Sequence, residues 1–411
     1  MYTSLQIGES IDGVVRAARV YTGDELLQDA ALCLRAGRLV EILPASALES
    51  DQKLVADYPD ALIHPGLVNA HSHLDLTGDP IPHEEGSSFT FWLENTRGRR
   101  LNVSEADLAD AARAGTDELI RDGVTCVVDF SFDGLSEEAL RTSGLNAIVL
   151  RELIGLDPER WQSVLETARV WLDERKDDDR LRFGVAPHAP YSVAAELAVG
   201  AKKIAADRTV AMHVAEDPEE REFLTKGTGP FREFLERLGI DERHFPRTGE
   251  ASIPYLDRLG ALGPSTLLIH ANDLTQPEVE IIAKSGGGVV FCPGTHRHFD
   301  RPAYPLPALR QAGVPVALGT DSSASNTGLS IQSEMRELRR LFPEFPSEKI
   351  FALGTARGLS SRLPIGLWRR GESLDFAVTR VDLQDPLEAF VSEGGESLLT
   401  VARGKTLWAQ P

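Results

Sequence analysis

Cysteine is scarce in this sequence: Cys33, Cys126 and Cys292 are the only three in 411 residues. Each lies in or beside an apolar, strand-like stretch. So odd and sparse a set excludes a disulfide framework, and none is spaced for a cysteine-rich zinc site. A reducing, cytoplasmic compartment is the expectation. Basic tracts are missing as well. Lys and Arg total 43 against 63 Asp and Glu, a net charge of -20, which argues against nucleic acid as a partner, because binding phosphates needs clustered cations. The acidity reads as solubility. No apolar run is long enough to span a bilayer, and Met1 to Ser10 has neither the basic nor the apolar part of a secretory leader. Internal repeats and low-complexity segments are absent. So is a Gly-x-Gly-x-x-Gly turn after a first strand, which removes the main support for a doubly wound sheet.

What is present is the material of a large soluble protein, 42% hydrophobic and 26% charged, enough for several domains or for one barrel with an appendage. Short strands are expected at both ends: Gly13 to Val15, Ala18 to Tyr21, Ala31 to Leu34 and Leu39 to Ile42, then Leu374 to Thr379, Glu388 to Val391 and Leu398 to Ala402. Between them the text alternates. Strands are expected to end near His73, Phe130, Glu152, His188, His213, His270, Cys292 and Asp321. Helical patterns separate them, one opened by the cap Ser104-Glu105-Ala106-Asp107 and others running from about Pro158, Ala194, Pro218, Phe231, Pro277, Leu306 and Ile331. Strands alternating with helices in this way specify an α/β fold, a (β/α)8 TIM barrel over residues 61–364. A small β-sandwich domain built from both chain termini, residues 1–60 and 365–411, completes it.

The strongest local signal is His71-Ser72-His73, at the end of the apolar run Ala61 to Ala70. Residues two apart on a strand point the same way, so both imidazoles can aim at one point, and this is how a site for zinc or ferrous iron begins. Alone the pair is weak. It gains force from His188, His213, His270 and Asp321, each placed at the end of a later strand, on the rim where barrels of this type carry their active sites. Each has an ordinary alternative. His188 could bond backbone in a loop, His213 and His270 could be satisfied core residues, and Asp321, before Ser322, could cap a turn. Taken together these alternatives would require unrelated buried polar groups to converge on one end of a barrel.

Those strings resemble a known family. Pro65-Gly66-Leu67-Val68-Asn69-Ala70-His71-Ser72-His73 is similar to the first-strand motif of the amidohydrolase superfamily. So are Met212-His213-Val214-Ala215-Glu216, Ile269-His270-Ala271 and Gly319-Thr320-Asp321, in order on successive strands. The branch most resembled holds cytosine, guanine, adenosylhomocysteine and aminofutalosine deaminases and the triazine hydrolases. The resemblance covers nearly the whole chain. It implies that His71, His73, His213 and Asp321 are metal ligands, that Glu216 shuttles protons, that His270 holds the attacking water, and that His188 faces the substrate. Binuclear members have a lysine on a middle strand. Neither Ala147 to Glu152 nor Arg182 to Ala186 supplies one, so one divalent metal ion, zinc or iron, is expected, with Glu152 as a substrate contact. Glu216 also opens a helix with Asp217-Pro218, where an acidic residue suits the dipole, and the two roles are compatible.

Trp92, in Phe89-Thr90-Phe91-Trp92-Leu93, either stacks on a flat substrate or packs its own loop against the barrel. Phe291 to Phe299 departs from the Cys-Pro-x-Ser-Asn string of many purine deaminases at Thr295-His296. With Thr320 to Asn326 it looks more like the aminofutalosine deaminases, which makes His296 a candidate substrate contact. The expected activity is metal-dependent hydrolytic deamination of an aminated purine-type heterocycle, such as 6-amino-6-deoxyfutalosine or another adenine nucleoside, with release of ammonia. The alternatives are displacement of chloride or an alkylamine from a similar ring, and a non-catalytic metal-binding homologue. The expected partner is a small heterocyclic substrate, with neither nucleic acid nor membrane, and a homodimer is left open.

Overall fold

The computed structural model describes residues 5–83, 86–355, 359, 363 and 368–410. The chain opens with β1 (Gly13–Tyr21), β2 (Leu26–Arg35), β3 (Arg38–Pro44) and β4 (Leu54–Pro65). It then builds β5 (Leu67–Ser72), β6 (Val124–Ser131), β7 (Asn146–Leu153), β8 (Leu181–Pro187), β9 (Val210–Val214), β10 (Thr266–His270), β11 (Gly288–Phe291) and β12 (Val316–Leu318). It closes with β13 (Phe376–Arg380), β14 (Glu396–Ala402) and β15 (Lys405–Ala409).

Strands β5 to β12 form one eight-stranded parallel sheet in sequence order. It closes where Ser72 bridges Asp321 in parallel and where the Thr320 and Asp321 N–H groups donate to His71 O, both at 3.0 Å. This is the expected barrel. The strands are buried on both faces, which is why they read as near-continuous apolar runs rather than alternating ones. Val68, Phe130, Ile148, Leu150, Ile269 and Val290 share one apolar cluster. The helix Glu105–Arg121 begins where the sequence placed it, with a capping box between Ser104 and Asp107.

The strands from the two termini form a second sheet in the order β15-β14-β13-β4-β1-β2-β3. Val15, Leu32, Leu39, Ile63, Phe376 and Val401 from these strands meet in one core. The apolar run before the histidines is divided between two sheets. Ala61 to Pro65 ends β4 and pairs with β13, while Leu67 to Ser72 is the first barrel strand. Gly66 makes the crossing, and a Cβ there would lie 2.1 Å from Thr125 Oγ1.

Two expectations for the terminal segments are corrected. Gly13 to Val15 and Ala18 to Tyr21 are one strand, paired with β2 throughout. Glu388 to Val391, expected as a strand, lies in the helix Pro386–Glu393. Pro386 stands in its first turn and the Asp385 side chain accepts from Glu388 N, so the helix start was written in the sequence. Among the described residues no helix is long and apolar enough to cross a membrane.

Candidate active site

The C-terminal ends of the barrel strands bring the signalled residues together. His71 and His73 come from the end of β5, His213 from β9, His270 from the end of β10 and Asp321 from just beyond β12. One ligand atom each from His71, His213, His270 and Asp321 lies within 4.8 Å of the others. His73 joins them, its Nε2 being 3.4 Å from His213 Nε2 and 3.6 Å from Asp321 Oδ1. His71 Nε2 is 3.3 Å from the same oxygen. Phe130 forms the floor, its ring centroid 4.5 Å from that of His71 and 4.8 Å from that of His213. Four non-glycine residues at these strand ends, Ala215, His270, Ala271 and Asp321, have positive φ of 47–68°. Such left-handed backbone persists only where the surroundings enforce it, and here it turns side chains inward over the barrel mouth.

Burial sets the protonation of the cluster. It depresses His73 and His270 to about 3, with the neighbouring imidazoles adding to the effect at both and Asp321 opposing it. Burial and then the surrounding histidines hold His213 well below its ordinary value. Asp321 goes the other way from a buried acid. Burial would raise it, but the His71 contact and the nearby imidazoles outweigh that and hold it well below the usual carboxylate range. The lowered values of His73, His213 and His270, beside an ionised carboxylate, favour the forms in which such side chains bind a divalent cation. His71 Nε2 has only the approach of Asp321 Oδ1 at 3.3 Å, and Nδ1 of both His71 and His73 is buried with no hydrogen-bond partner among the described residues. Unsatisfied buried nitrogens are costly, and a cation among the imidazoles would satisfy those that face it. The residues therefore fit a metal ion.

Glu216 stands beside this cluster, just after β9 and buried. Its Oε2 is 3.7 Å from His270 Nε2. Burial pushes its carboxyl well above the ordinary range, with Arg301 opposing. Its main chain is pinned: the Glu220 carboxylate accepts from the N–H groups of Ala215 and Glu216, both at 3.0 Å, and Asn272 Nδ2 donates to Glu216 O at 3.0 Å. Asp321 is fixed by Ser325, whose hydroxyl donates to Oδ2 at 2.9 Å.

The proposed substrate contacts fall in different places. His188 is at the site, its ring centroid 5.0 Å from that of His213, with Nδ1 2.7 Å from Ser192 Oγ. Glu152 ends β7 close enough to His73 and His188 for both to act on its charge. Burial would raise its carboxyl, but Arg100, His188 and His73 together bring it below the ordinary value. Trp92 is packed rather than open, stacked on Phe89 and edge-on to Phe299, with Nε1 donating to Ile81 O at 3.3 Å. His296 is buried edge-on to Phe291 and Tyr304, close enough to His270 for its charge to act there, and its Nε2 has no hydrogen-bond partner among the described residues.

Two buried arginines beside the centre were not anticipated. Arg100, on the helix Phe89–Leu101, pairs with Asp75 at 2.6 Å and Glu152 at 3.2 Å, tying that helix to the barrel rim. Arg301 lies beside Glu216 and Asp217. Neither carries a local sequence signal, since a lone arginine in polar text is ordinarily solvated.

A parallel eight-stranded barrel whose strand ends gather four imidazoles, an ionised aspartate and a buried glutamate defines a metal-dependent barrel hydrolase. The amidohydrolase family model matches residues 62–406. The chain belongs to the amidohydrolase family, as an amidohydrolase-type hydrolase of carbon–nitrogen bonds. It is 30% identical over 333 residues to the aminodeoxyfutalosine deaminase of Deinococcus radiodurans, covering 76% of each chain. Among solved structures it is similar to Helicobacter pylori aminofutalosine deaminase in complex with methylthio-coformycin. There the TM-score is 0.83 at 23% identity, over 96% of this chain and 100% of that one. It is also similar to an adenosine deaminase from Xanthomonas campestris with bound zinc, with a TM-score of 0.80 at 23% identity, over 97% and 93% of the two chains. At these identities the two structural likenesses speak for the fold.

Proposed function

We propose that this protein is a hydrolytic deaminase of an adenine-type nucleoside, replacing the exocyclic amino group of the purine by oxygen and releasing ammonia. The observation that carries this reading is the convergence of His71, His73, His213 and Asp321 with His270 and Glu216 on one barrel rim. The names of the related deaminases support the choice of ring, and 6-amino-6-deoxyfutalosine is the first substrate to try.

In this reading His71, His73, His213 and Asp321 hold a single divalent ion, zinc or iron. When bound, that ion makes water a competent nucleophile at neutral pH. The protein's own groups do the rest. Asp321 and His270 orient the attacking water, and orientation removes an entropic barrier. Glu216 takes the water's proton and delivers it to the ring nitrogen next to the carbon under attack, which makes that carbon electrophilic. A second transfer through Glu216 protonates the departing amino group, so that ammonia leaves and the ring carbon becomes a carbonyl. Glu216 begins the cycle as the carboxylate, the form that Arg301 favours, and its burial helps it keep a proton, once taken, until that proton is passed on. His188 and Glu152 contact the substrate from the adjoining strand ends. Trp92 packs against Phe89 and Phe299, while His296, near His270 and with its Nε2 unpartnered among the described residues, is the further candidate to contact the substrate.

The test is a panel of aminodeoxyfutalosine, 5′-methylthioadenosine, S-adenosylhomocysteine, 5′-deoxyadenosine and adenosine. It is read by the fall in ultraviolet absorbance on deamination and by ammonia release, with a chlorinated triazine as comparison. Ammonia from at least one nucleoside is expected. Chloride release from the triazine with all nucleosides left intact would overturn the reading in favour of the other leaving group.

A further inference from the structure

We propose that Arg301 is a positioning residue that sets the orientation of the Glu216 carboxylate, an inference that rests on Glu216 being the proton carrier. The Arg301 side chain is only 3% exposed, although its loop lies between β11 and β12, far from Glu216 in sequence. Its guanidinium is held between two aromatic rings, 4.8 Å from the Phe89 centroid and 4.9 Å from that of Phe299. These rings fix the plane of the fork and keep water from it. One end of the fork ion-pairs with Asp217. The other, Nη2, is 3.8 Å from Glu216 Oε1, while Glu216 Oε2 lies 3.7 Å from His270 Nε2. The carboxylate is therefore stretched between a guanidinium on one side and the imidazole of the centre on the other.

The division of labour is specific. Glu220 and Asn272 already fix the main chain of Glu216. What they leave free is the side chain, including rotation of the carboxylate about its terminal torsion, which is broad and roughly two-fold in its preferences. Arg301 is the group that restricts it. Lysine could keep the charge but not the planar fork between the rings, so charge and geometry can be separated by substitution. Loss of Arg301 should act on proton delivery and leave substrate affinity nearly untouched.

The experiment compares R301K, R301M, R301A and E216Q on the best nucleoside of the panel. For R301M the expected result is a kcat about a hundred-fold lower, the scale on which an ångström of misplacement acts. KM should stay within a few-fold with wild-type metal content, while the unfolding midpoint falls because Asp217 loses its buried partner. R301K should fall between R301M and wild type. R301A should regain part of its kcat on addition of guanidinium but not of sodium chloride, a response that a merely structural role would not give. In a crystal structure of R301M the Glu216 carboxylate should leave its place beside His270. Wild-type kcat in R301M while E216Q is inactive would overturn the positioning role alone. So would a loss of kcat together with metal and fold that guanidinium does not restore. An active E216Q, or a wild type inert toward the whole panel, would overturn the parent reading and this one with it.

Discussion

Replacing Glu216 by glutamine keeps the shape of the side chain and removes its ability to carry a proton. The structure indicates how much that costs. The carboxyl is buried, with His270 and Arg301 as its polar neighbours at 3.7 and 3.8 Å. The acids around it are already engaged: Asp321 is held well below the usual carboxylate range and accepts from Ser325, Glu220 accepts from the Ala215 and Glu216 N–H groups, and Asp217 pairs with Arg301, so none is placed to take over the shuttle. Positioned acid–base groups contribute about 10²–10⁴-fold, or about 3–5 kcal/mol of barrier. In the proposed mechanism Glu216 serves two transfers, which places the expected loss in kcat/KM at the upper end of that range. The metal site should survive, because the amide does not alter His71, His73, His213 or Asp321. The assay is deamination followed by absorbance and ammonia release, with metal content measured on the same preparation. A variant that retains its metal and turns over within about ten-fold of wild type would refute the proton-shuttle assignment, since that lies below the range such groups contribute.

Two further outcomes follow from the fold. Burial pushes Asp122 to about 7, against hydrogen bonds from Ser330, Gln332 and Ile331. A carboxyl raised in the folded state contributes stability that is complete below its unfolded value near 4 and lost as pH rises through about 7. Between pH 5 and pH 8 the thermal midpoint of the wild type should therefore fall more than that of Asp122→Asn, and equal falls would show that Asp122 does not titrate there. Gly66→Ala would push a Cβ into Thr125 at the crossing between the sheets. The overpacking should cost about 1–3 kcal/mol and lower the thermal midpoint by several degrees, and an unchanged midpoint would show that the crossing relaxes freely.

Much of the site was legible because its residues close strands. A buried parallel strand is a compact apolar run, and the polar residue that ends it stands out, as His213, His270 and Asp321 do. Glu388 to Val391 misled because four residues cannot separate a strand period from a helical one; Leu387, Phe390 and Val391, the apolar positions of that helix, settle it only when Asp385 and Pro386 are included. β4 merged with the barrel strand because both are apolar and a single glycine divides them. Arg100 and Arg301 were illegible for another reason. Their burial depends on partners far away in the chain, Glu152 for one and Glu216 for the other, and no local pattern records a contact of that kind. Trp92 could be read in two ways from sequence, and its contacts with Phe89 and Phe299 favour packing.

The central claim is that the imidazoles and Asp321 at the barrel mouth hold a metal ion on which turnover depends. The most direct measurement is metal content per chain by plasma mass spectrometry, made on wild type and Asp321→Ala and paired with turnover before and after chelation. The expected result is a single zinc or iron ion in the wild type, loss of metal and activity in the variant, and activity that disappears on stripping and returns on reloading. A wild-type chain free of transition metal and still fully active would contradict the account.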